Sequence, residues 1–208
     1  VIGPMLTALS DDGKIDERRT EALINFLITR EVAGLFPLGT TGEGPLLSVD
    51  ERCQVASWIV KHSNRRIPVI IHTGSITTAD TITLTRHARD CGADAAAIVP
   101  PYFYRLSSEA VFEHFAAVIE AVGDFPVYLY NNPGVTPNAL TYEMVSNLAE
   151  AFKTVVGLKD SGGALDMLFK CRSLHEGRFN TASGPDGLIM AAQTIGIDAC
   201  VSGNANFV

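Results

Sequence analysis

Short apolar, β-branched runs alternate along the chain with longer stretches whose apolar residues recur at helical spacing. This is the pattern of βα units on a parallel sheet. The apolar runs predict strands over residues 3–9, 34–38, 67–72, 95–99, 126–130, 155–159, 179–182 and 199–202. Helix starts lie between them, as at Ser48 with Glu51 three residues on and at Thr77 with Asp80 three residues on. Gly34, Gly92 and Gly196 fall where a helix must stop before the next strand, a place where glycine takes a left-handed conformation cheaply. The echo between Gly92-Ala93-Asp94-Ala95 and Gly196-Ile197-Asp198-Ala199 predicts the same corner built twice.

Eight such runs with seven intervening helices favour a closed (β/α)₈ TIM barrel over an open doubly wound sheet. No linker, low-complexity tract or charge run breaks the rhythm, so residues 1–208 are expected to form one domain. The sequence stops at Val208 just after the last run and starts at Val1 instead of a methionine. The eighth helix, and residues ahead of Val1, are therefore expected to belong to a longer chain.

Composition narrows the function. With 208 residues, 47% of them hydrophobic, the chain can bury a full core. A net charge of −7 supplies no basic stripe, which argues against a nucleic-acid backbone or an anionic membrane surface and for a small-molecule partner. Cys53, Cys91, Cys171 and Cys200 lie far apart with no histidine at zinc-ligand spacing, so no metal site is expected. Buried, reduced thiols in a cytoplasmic protein are the reading. No signal peptide, no bilayer-length apolar run and no nucleotide-binding loop is visible.

In a barrel of this kind the reactive groups sit where the strands end on their C-terminal side. Of the five lysines, Lys14, Lys61, Lys153 and Lys170 fall in turns, near helix ends or on helix surfaces, whereas Lys159 ends the apolar run Val155-Val156-Gly157-Leu158. An inward ammonium there is partly desolvated, which favours the neutral amine that attack on a carbonyl requires. A lysine that merely snorkels at a strand end is the bland alternative. Tyr130, at the end of Val127-Tyr128-Leu129-Tyr130, offers either a core ring or a phenol that moves a proton. Thr40 and Thr41, between Gly39 and Gly42, offer hydroxyls and free N–H groups suited to a carboxylate, although such a turn is common without a ligand. Ser161, two residues beyond Lys159, and Val201, in the last run, complete the candidate substrate contacts. Glu43 reads as a structural acceptor, and His72, the one histidine at a strand end, as a pocket-lining or structural residue.

Taken together, Gly39-Thr40-Thr41-Gly42-Glu43, Tyr130-Asn131-Asn132-Pro133 and Gly157-Leu158-Lys159-Asp160 resemble the dihydrodipicolinate synthase and N-acetylneuraminate lyase family. The resemblance implies a class I aldolase or lyase acting on a 2-keto acid, with release or uptake of pyruvate and an aldehyde as the other partner. It implies Lys159 as the Schiff-base lysine, Tyr130 as proton relay, and Thr40 with Thr41 on the pyruvoyl carboxylate. No cofactor is implied beyond the covalent imine to Lys159. A homotetramer and a C-terminal helical segment are implied too. Gly42-Glu43-Gly44-Pro45 is similar to the second-strand loop of 2-keto-3-deoxygluconate aldolases.

Three positions depart from the pattern. Val135 stands where synthases carry an arginine for the second substrate's carboxylate, and Phe103 stands where a relay tyrosine is expected, with Tyr102 and Tyr104 beside it. Asp186-Gly187 replaces the Asp-Glu pair that sialic-acid lyases carry. These departures favour an aldolase for a 2-keto sugar acid or similar hydroxy-keto acid. A dihydrodipicolinate synthase and a non-catalytic keto-acid-binding barrel are the alternatives.

Overall fold

All eight expected runs carry strand structure, and each pairs in parallel with its neighbour in chain order. The computed structural model describes residues 1–207. The strands are β1 (Ile2–Gly3), β2 (Gly34–Leu35), β3 (Ile70–His72), β4 (Ala95–Ile98), β5 (Val127–Asn131), β6 (Val155–Asp160), β7 (Asn180–Ser183) and β8 (Ala199–Cys200). Between them run α1 (Glu17–Thr29), α2 (Val49–Ser63), α3 (Thr78–Asp90), α4 (Ser108–Val122), α5 (Tyr142–Ala151), α6 (Leu165–Cys171) and α7 (Ile189–Thr194). Strands β3 to β8 form one continuous sheet and β1 pairs β2. Parallel bridges from Leu35 to Val69 and from Ile2 to Val201 join the two sheets at both edges, so the ring of strands closes into a barrel.

Alternation along each strand divides the core in two. Leu35, Ile71, Ile98, Leu129 and Leu158 face outward and pack under the helices. Phe36, Ala97, Val99, Tyr130, Ala182 and Val201 face inward. The all-alanine start of β4 leaves room inside for the large rings of Phe36, just after β2, and Tyr130 on β5, as jigsaw packing at interior density demands.

The helix starts form as the sequence predicts. Ser48 and Glu51 make both halves of a capping box on α2, and the Thr77 hydroxyl oxygen accepts the Asp80 N–H at the start of α3. The repeated corner is real and has a physical basis. At Gly92 (φ 91) and Gly196 (φ 79) the chain turns left-handed out of a helix. Two residues on, the Asp94 carboxylate accepts the Val69 N–H and the Asp198 carboxylate accepts the Thr181 N–H. Each aspartate thus ties its own strand to the one before it.

Three local expectations are corrected. The first strand stops at Gly3 well short of residue 9, because Pro4 has no N–H for the ladder; Leu9 instead bridges antiparallel to Ile15. The second strand stops at Leu35, and the chain bends through a left-handed Leu38 (φ 62). Gly34 does not end a helix in left-handed geometry, since Glu31 (φ 57) takes that role. A side chain at Gly34 would press on the Pro68 carbonyl oxygen at 3.3 Å, so close strand packing accounts for the glycine there.

All four cysteines are free, and burial pushes the Cys171 thiol up to about 12. Among the described residues no group of three or more His, Cys, Asp or Glu could hold a metal ion, and no helix is long and apolar enough to cross a membrane.

Gly157 fixes the interior below the site. A β-carbon there would lie 2.5 Å from both the Tyr128 ring and the Asn180 carbonyl oxygen, and the backbone oxygen cannot move aside. Gly157→Ala is therefore expected to destabilise the protein by about 1–3 kcal/mol through overpacking. Urea unfolding would register it as a lower midpoint at unchanged slope; an unchanged midpoint would contradict the packing argument.

Candidate active site

Parallel register aligns Lys159 on β6 with Tyr130 on β5 and Ala182 on β7, at the C-terminal end of the barrel. The inward face carries Lys159 beneath the mouth, where the residue is only 6% exposed. Its Nζ lies 4.0 Å from the centroid of the Tyr130 ring and 4.2 Å from that of Phe36. Burial pushes the ammonium below the ordinary lysine value, and the nearby Tyr130 phenol only partly offsets this. None of the other four lysines is buried: three pair with carboxylates of Asp12, Glu17 and Asp166, and Lys153 is exposed. Position and burial together single out Lys159 as the amine best placed to lose its proton.

The Tyr130 phenol sits in a small polar network. Its oxygen lies 3.2 Å from the Thr40 hydroxyl and accepts from the Asn132 side-chain amide at 2.9 Å. The same amide donates to the Thr40 hydroxyl oxygen at 3.3 Å. Burial by itself raises the phenol's pKa, but the Lys159 charge and the hydroxyls of Thr40 and Ser161 outweigh it, leaving Tyr130 below the ordinary tyrosine value. A phenol with a lowered pKa, held beside an amine, can carry protons in either direction.

Among the described residues the backbone N–H groups of Thr40 and Thr41 donate to no backbone or side-chain acceptor of the chain. The turn around them is held by its neighbours, with the Glu43 N–H on the Thr40 carbonyl and the Gly44 N–H on that of Gly39. Two free donors on the turn that brings the Thr40 hydroxyl to the Tyr130 phenol have the chemistry that suits an anion. Ser161 is half-buried, its N–H donating to the Asn131 carbonyl, and Val201 lies in the inward apolar cluster with Phe36 and Tyr130.

A cavity of about 310 Å³ opens above Tyr130, walled by Thr40, Glu43, Pro45, Leu46, His72, Val99, Tyr102 and Val135. A second, of about 200 Å³, runs below Lys159 between Phe36, Tyr128, Ala182 and Val201. A groove of about 710 Å³ between Val60 and Asp94 is larger, but it holds neither Lys159, Tyr130 nor the Thr40–Thr41 turn. Of the three aromatic residues after Pro101, Tyr102 reaches the upper cavity, whereas Phe103 and Tyr104 are 77% and 66% exposed, with Phe103 held left-handed (φ 79).

Sequence reasoning missed two residues. Asn132 orients Tyr130, and only its place in the Tyr130-Asn131-Asn132-Pro133 motif hinted at this. Asn131, its neighbour, points to the other side of the strand and donates to the buried Asp160 carboxylate at 2.7 Å, while Asp160 also accepts the Ala164 N–H. That pair ties together the last residues of β5 and β6, one position beyond Tyr130 and Lys159. His72, read as pocket-lining or structural, is in the cavity wall with one ring nitrogen unused.

Known proteins resemble this chain in sequence and in fold. The 4-hydroxy-tetrahydrodipicolinate synthase of Herminiimonas arsenicoxydans is 37% identical over 202 residues, covering 97% of this chain and 68% of the relative. Among solved structures, YagE of E. coli K12, a prophage protein of the dihydrodipicolinic acid synthase family crystallised with pyruvate, superposes with a TM-score of 0.94 at 33% identity. That match covers 99% of this chain and 70% of YagE. The 2-keto-3-deoxygluconate aldolase of Picrophilus torridus gives a TM-score of 0.93 at 30% identity, over all of this chain and 74% of the aldolase. The profile of the dihydrodipicolinate synthetase family matches residues 1–208. This chain accordingly belongs to that family, the class I lyases and aldolases that take up or release pyruvate through an imine to a lysine.

Proposed function

We propose that the protein cleaves a 2-keto-4-hydroxy acid, of the 2-keto sugar acid kind, into pyruvate and an aldehyde, with Lys159 as the imine-forming residue. The observation that carries this reading is the buried Lys159 amine set against the Tyr130 phenol, itself bonded to Thr40 beside two free N–H donors. Lys159 Nζ attacks C2 of the substrate while Thr40 and Thr41 hold the carboxylate. Loss of water from the carbinolamine gives an iminium. The iminium draws in the C3–C4 bonding electrons as Tyr130 takes the C4 hydroxyl proton, so the aldehyde departs and an enamine stays on Lys159. Tyr130 returns the proton to C3, and water releases pyruvate and the free amine. Ser161 and Val201 complete the pocket, one polar and one apolar. Run backwards, the same steps condense pyruvate with an aldehyde.

The pyruvate in YagE and the 2-keto-3-deoxygluconate substrate of the Picrophilus torridus aldolase support this substrate class. The reading extends to one barrel domain over residues 1–208, to a cytoplasmic setting, and to a homo-oligomer, the tetramer of the family. The exposed Leu46, Ile76, Phe103 and Tyr104, on loops that follow β2, β3 and β4, support self-association, since large side chains left 46–80% exposed gain by being covered. Pyruvate release from a panel of 2-keto-3-deoxy acids tests the reading; no release from any member would contradict it.

Synthase activity is expected to be weak. Val135 lies at the cavity wall, 47% exposed, and among the described residues no lysine or arginine lines that cavity to hold a second carboxylate. A lost charge-assisted contact of about 2 kcal/mol corresponds to roughly 30-fold in kcat/KM. Condensation of pyruvate with aspartate semialdehyde should therefore fall well short of pyruvate release from keto sugar acids, and Val135→Arg should raise it. Equal efficiency in the two assays would show that another cation, such as Arg105, serves the carboxylate.

A further inference from the structure

The Tyr130 ring has a second neighbour that the proposed chemistry leaves unused. His72 ends β3, is 3% exposed, and stands edge-on to Tyr130 with ring centroids 5.7 Å apart. Its Nδ1 lies 3.0 Å from the Leu38 carbonyl oxygen. A carbonyl only accepts, so Nδ1 carries the proton and Nε2 presents a bare lone pair. Burial, with the Arg52 and Lys159 charges nearby, holds the imidazole well below its ordinary pKa, which keeps that lone pair unprotonated. Yet Nε2 is buried without any hydrogen-bond partner. Buried polar atoms in native proteins are nearly always paired, so Nδ1 is accounted for by Leu38 while Nε2 calls for a partner that the chain itself does not supply.

The strand end is also firmly placed. The buried Arg52 guanidinium donates to the His72 carbonyl at 3.0 Å and to that of Gly74 at 3.1 Å, so the ring is held by its backbone and by Leu38 together. His72 forms part of the upper cavity wall, on the side of Tyr130 where Lys159 does not reach. A substrate joined to Lys159 and held by Thr40 extends its remaining carbons into that cavity. The rest of the wall there exposes mostly apolar surface, from Leu46, Val99 and Val135, with Glu43 at the rim and Tyr102 as the other polar side chains beside Thr40 and Tyr130.

Resting on the imine reading of Lys159, we infer that His72 Nε2, closed off from solvent in the unliganded chain, accepts a hydrogen bond from a hydroxyl on the aldehyde half of the substrate, beyond C4, once the bound substrate parts the wall in front of it, and so selects hydroxyaldehydes over alkyl aldehydes. A neutral acceptor in a mostly apolar wall matches a hydroxyl, because an alkyl tail leaves the nitrogen unpaired and a carboxylate meets a lone pair instead of a donor.

Two substrates that share the breaking bond isolate this contact: a six-carbon 2-keto-3-deoxy sugar acid, and 2-keto-4-hydroxyhexanoate, which has no hydroxyl beyond C4. The wild-type enzyme should favour the first. His72→Phe should lower kcat/KM for the sugar acid by about 10- to 100-fold, the worth of one buried hydrogen bond, and leave the alkyl substrate within about threefold. His72→Gln, whose amide oxygen can accept, should recover part of the loss, and pyruvate should still be trapped on Lys159 by borohydride in both variants. Equal losses on the two substrates, no loss on either, or no wild-type preference would overturn the inference. No turnover of the sugar acid by the wild type would overturn it too, and pyruvate trapping would then show whether the imine reading survives.

Discussion

Lys159→Arg is expected to lower turnover by on the order of 10⁴-fold or more, the scale seen when a covalent nucleophile is removed. The substitution keeps a cation of similar reach under the Tyr130 and Phe36 rings, where the lysine ammonium lies 4.0 and 4.2 Å from the centroids. What changes is the proton: burial pushes the lysine toward its neutral form, whereas a guanidinium stays charged in proteins and cannot form the imine. A structural role for Lys159, as a cation that merely stacks on two rings, predicts the opposite, near-normal activity in the arginine variant. Circular dichroism and the unfolding midpoint would report whether the fold is intact, so loss of activity could be assigned to chemistry. Turnover within about tenfold of wild type would remove Lys159 from the mechanism, because general acid–base help alone supplies more than that.

Tyr130→Phe is expected to lower kcat by roughly 10²- to 10⁴-fold with pyruvate affinity nearly unchanged. The ring keeps its edge contacts with Phe36 and His72, both at 5.7 Å, so the inner cluster stays filled. The hydroxyl alone is lost, and with it the group that links Thr40, Asn132 and the reacting carbons. Asn132 and Thr40 still bond to each other, which limits any collapse of the turn. The split between kcat and pyruvate affinity is the diagnostic feature, because a packing defect would weaken both. Wild-type turnover in the Tyr130→Phe enzyme would move the relay to Tyr102, the other tyrosine that reaches the upper cavity.

Much of this was legible in the sequence because βα barrels are built from local units. Each buried parallel strand reads as an apolar run, and the place where the run stops is also the place where chemistry is displayed, which is why Lys159 and Tyr130 stood out. The paired corners were legible for a similar reason, since each glycine and aspartate acts within its own turn. What stayed hidden depends on closure of the ring. Thr40 and Tyr130 are 90 residues apart, and nothing in either segment says that the Asn132 amide bridges them. The spent and unspent nitrogens of His72 likewise follow from the Leu38 carbonyl, 34 residues away on a left-handed turn. Strand ends failed where backbone chemistry overrode the apolar pattern, as at Pro4. The relay tyrosine could not be chosen from Tyr102-Phe103-Tyr104 because three adjacent aromatics differ only in where the loop aims them.

The central claim is that the substrate's keto carbon becomes bonded to one particular amine, and reduction in the presence of pyruvate tests it at the level of the bond. Borohydride converts an iminium to a secondary amine that survives digestion, so peptide mass mapping reads the position directly. Irreversible inactivation is expected, with a single pyruvate-derived adduct on Lys159 and on none of Lys14, Lys61, Lys153 or Lys170. Full activity after treatment, or an adduct on any of those four in place of Lys159, would contradict it.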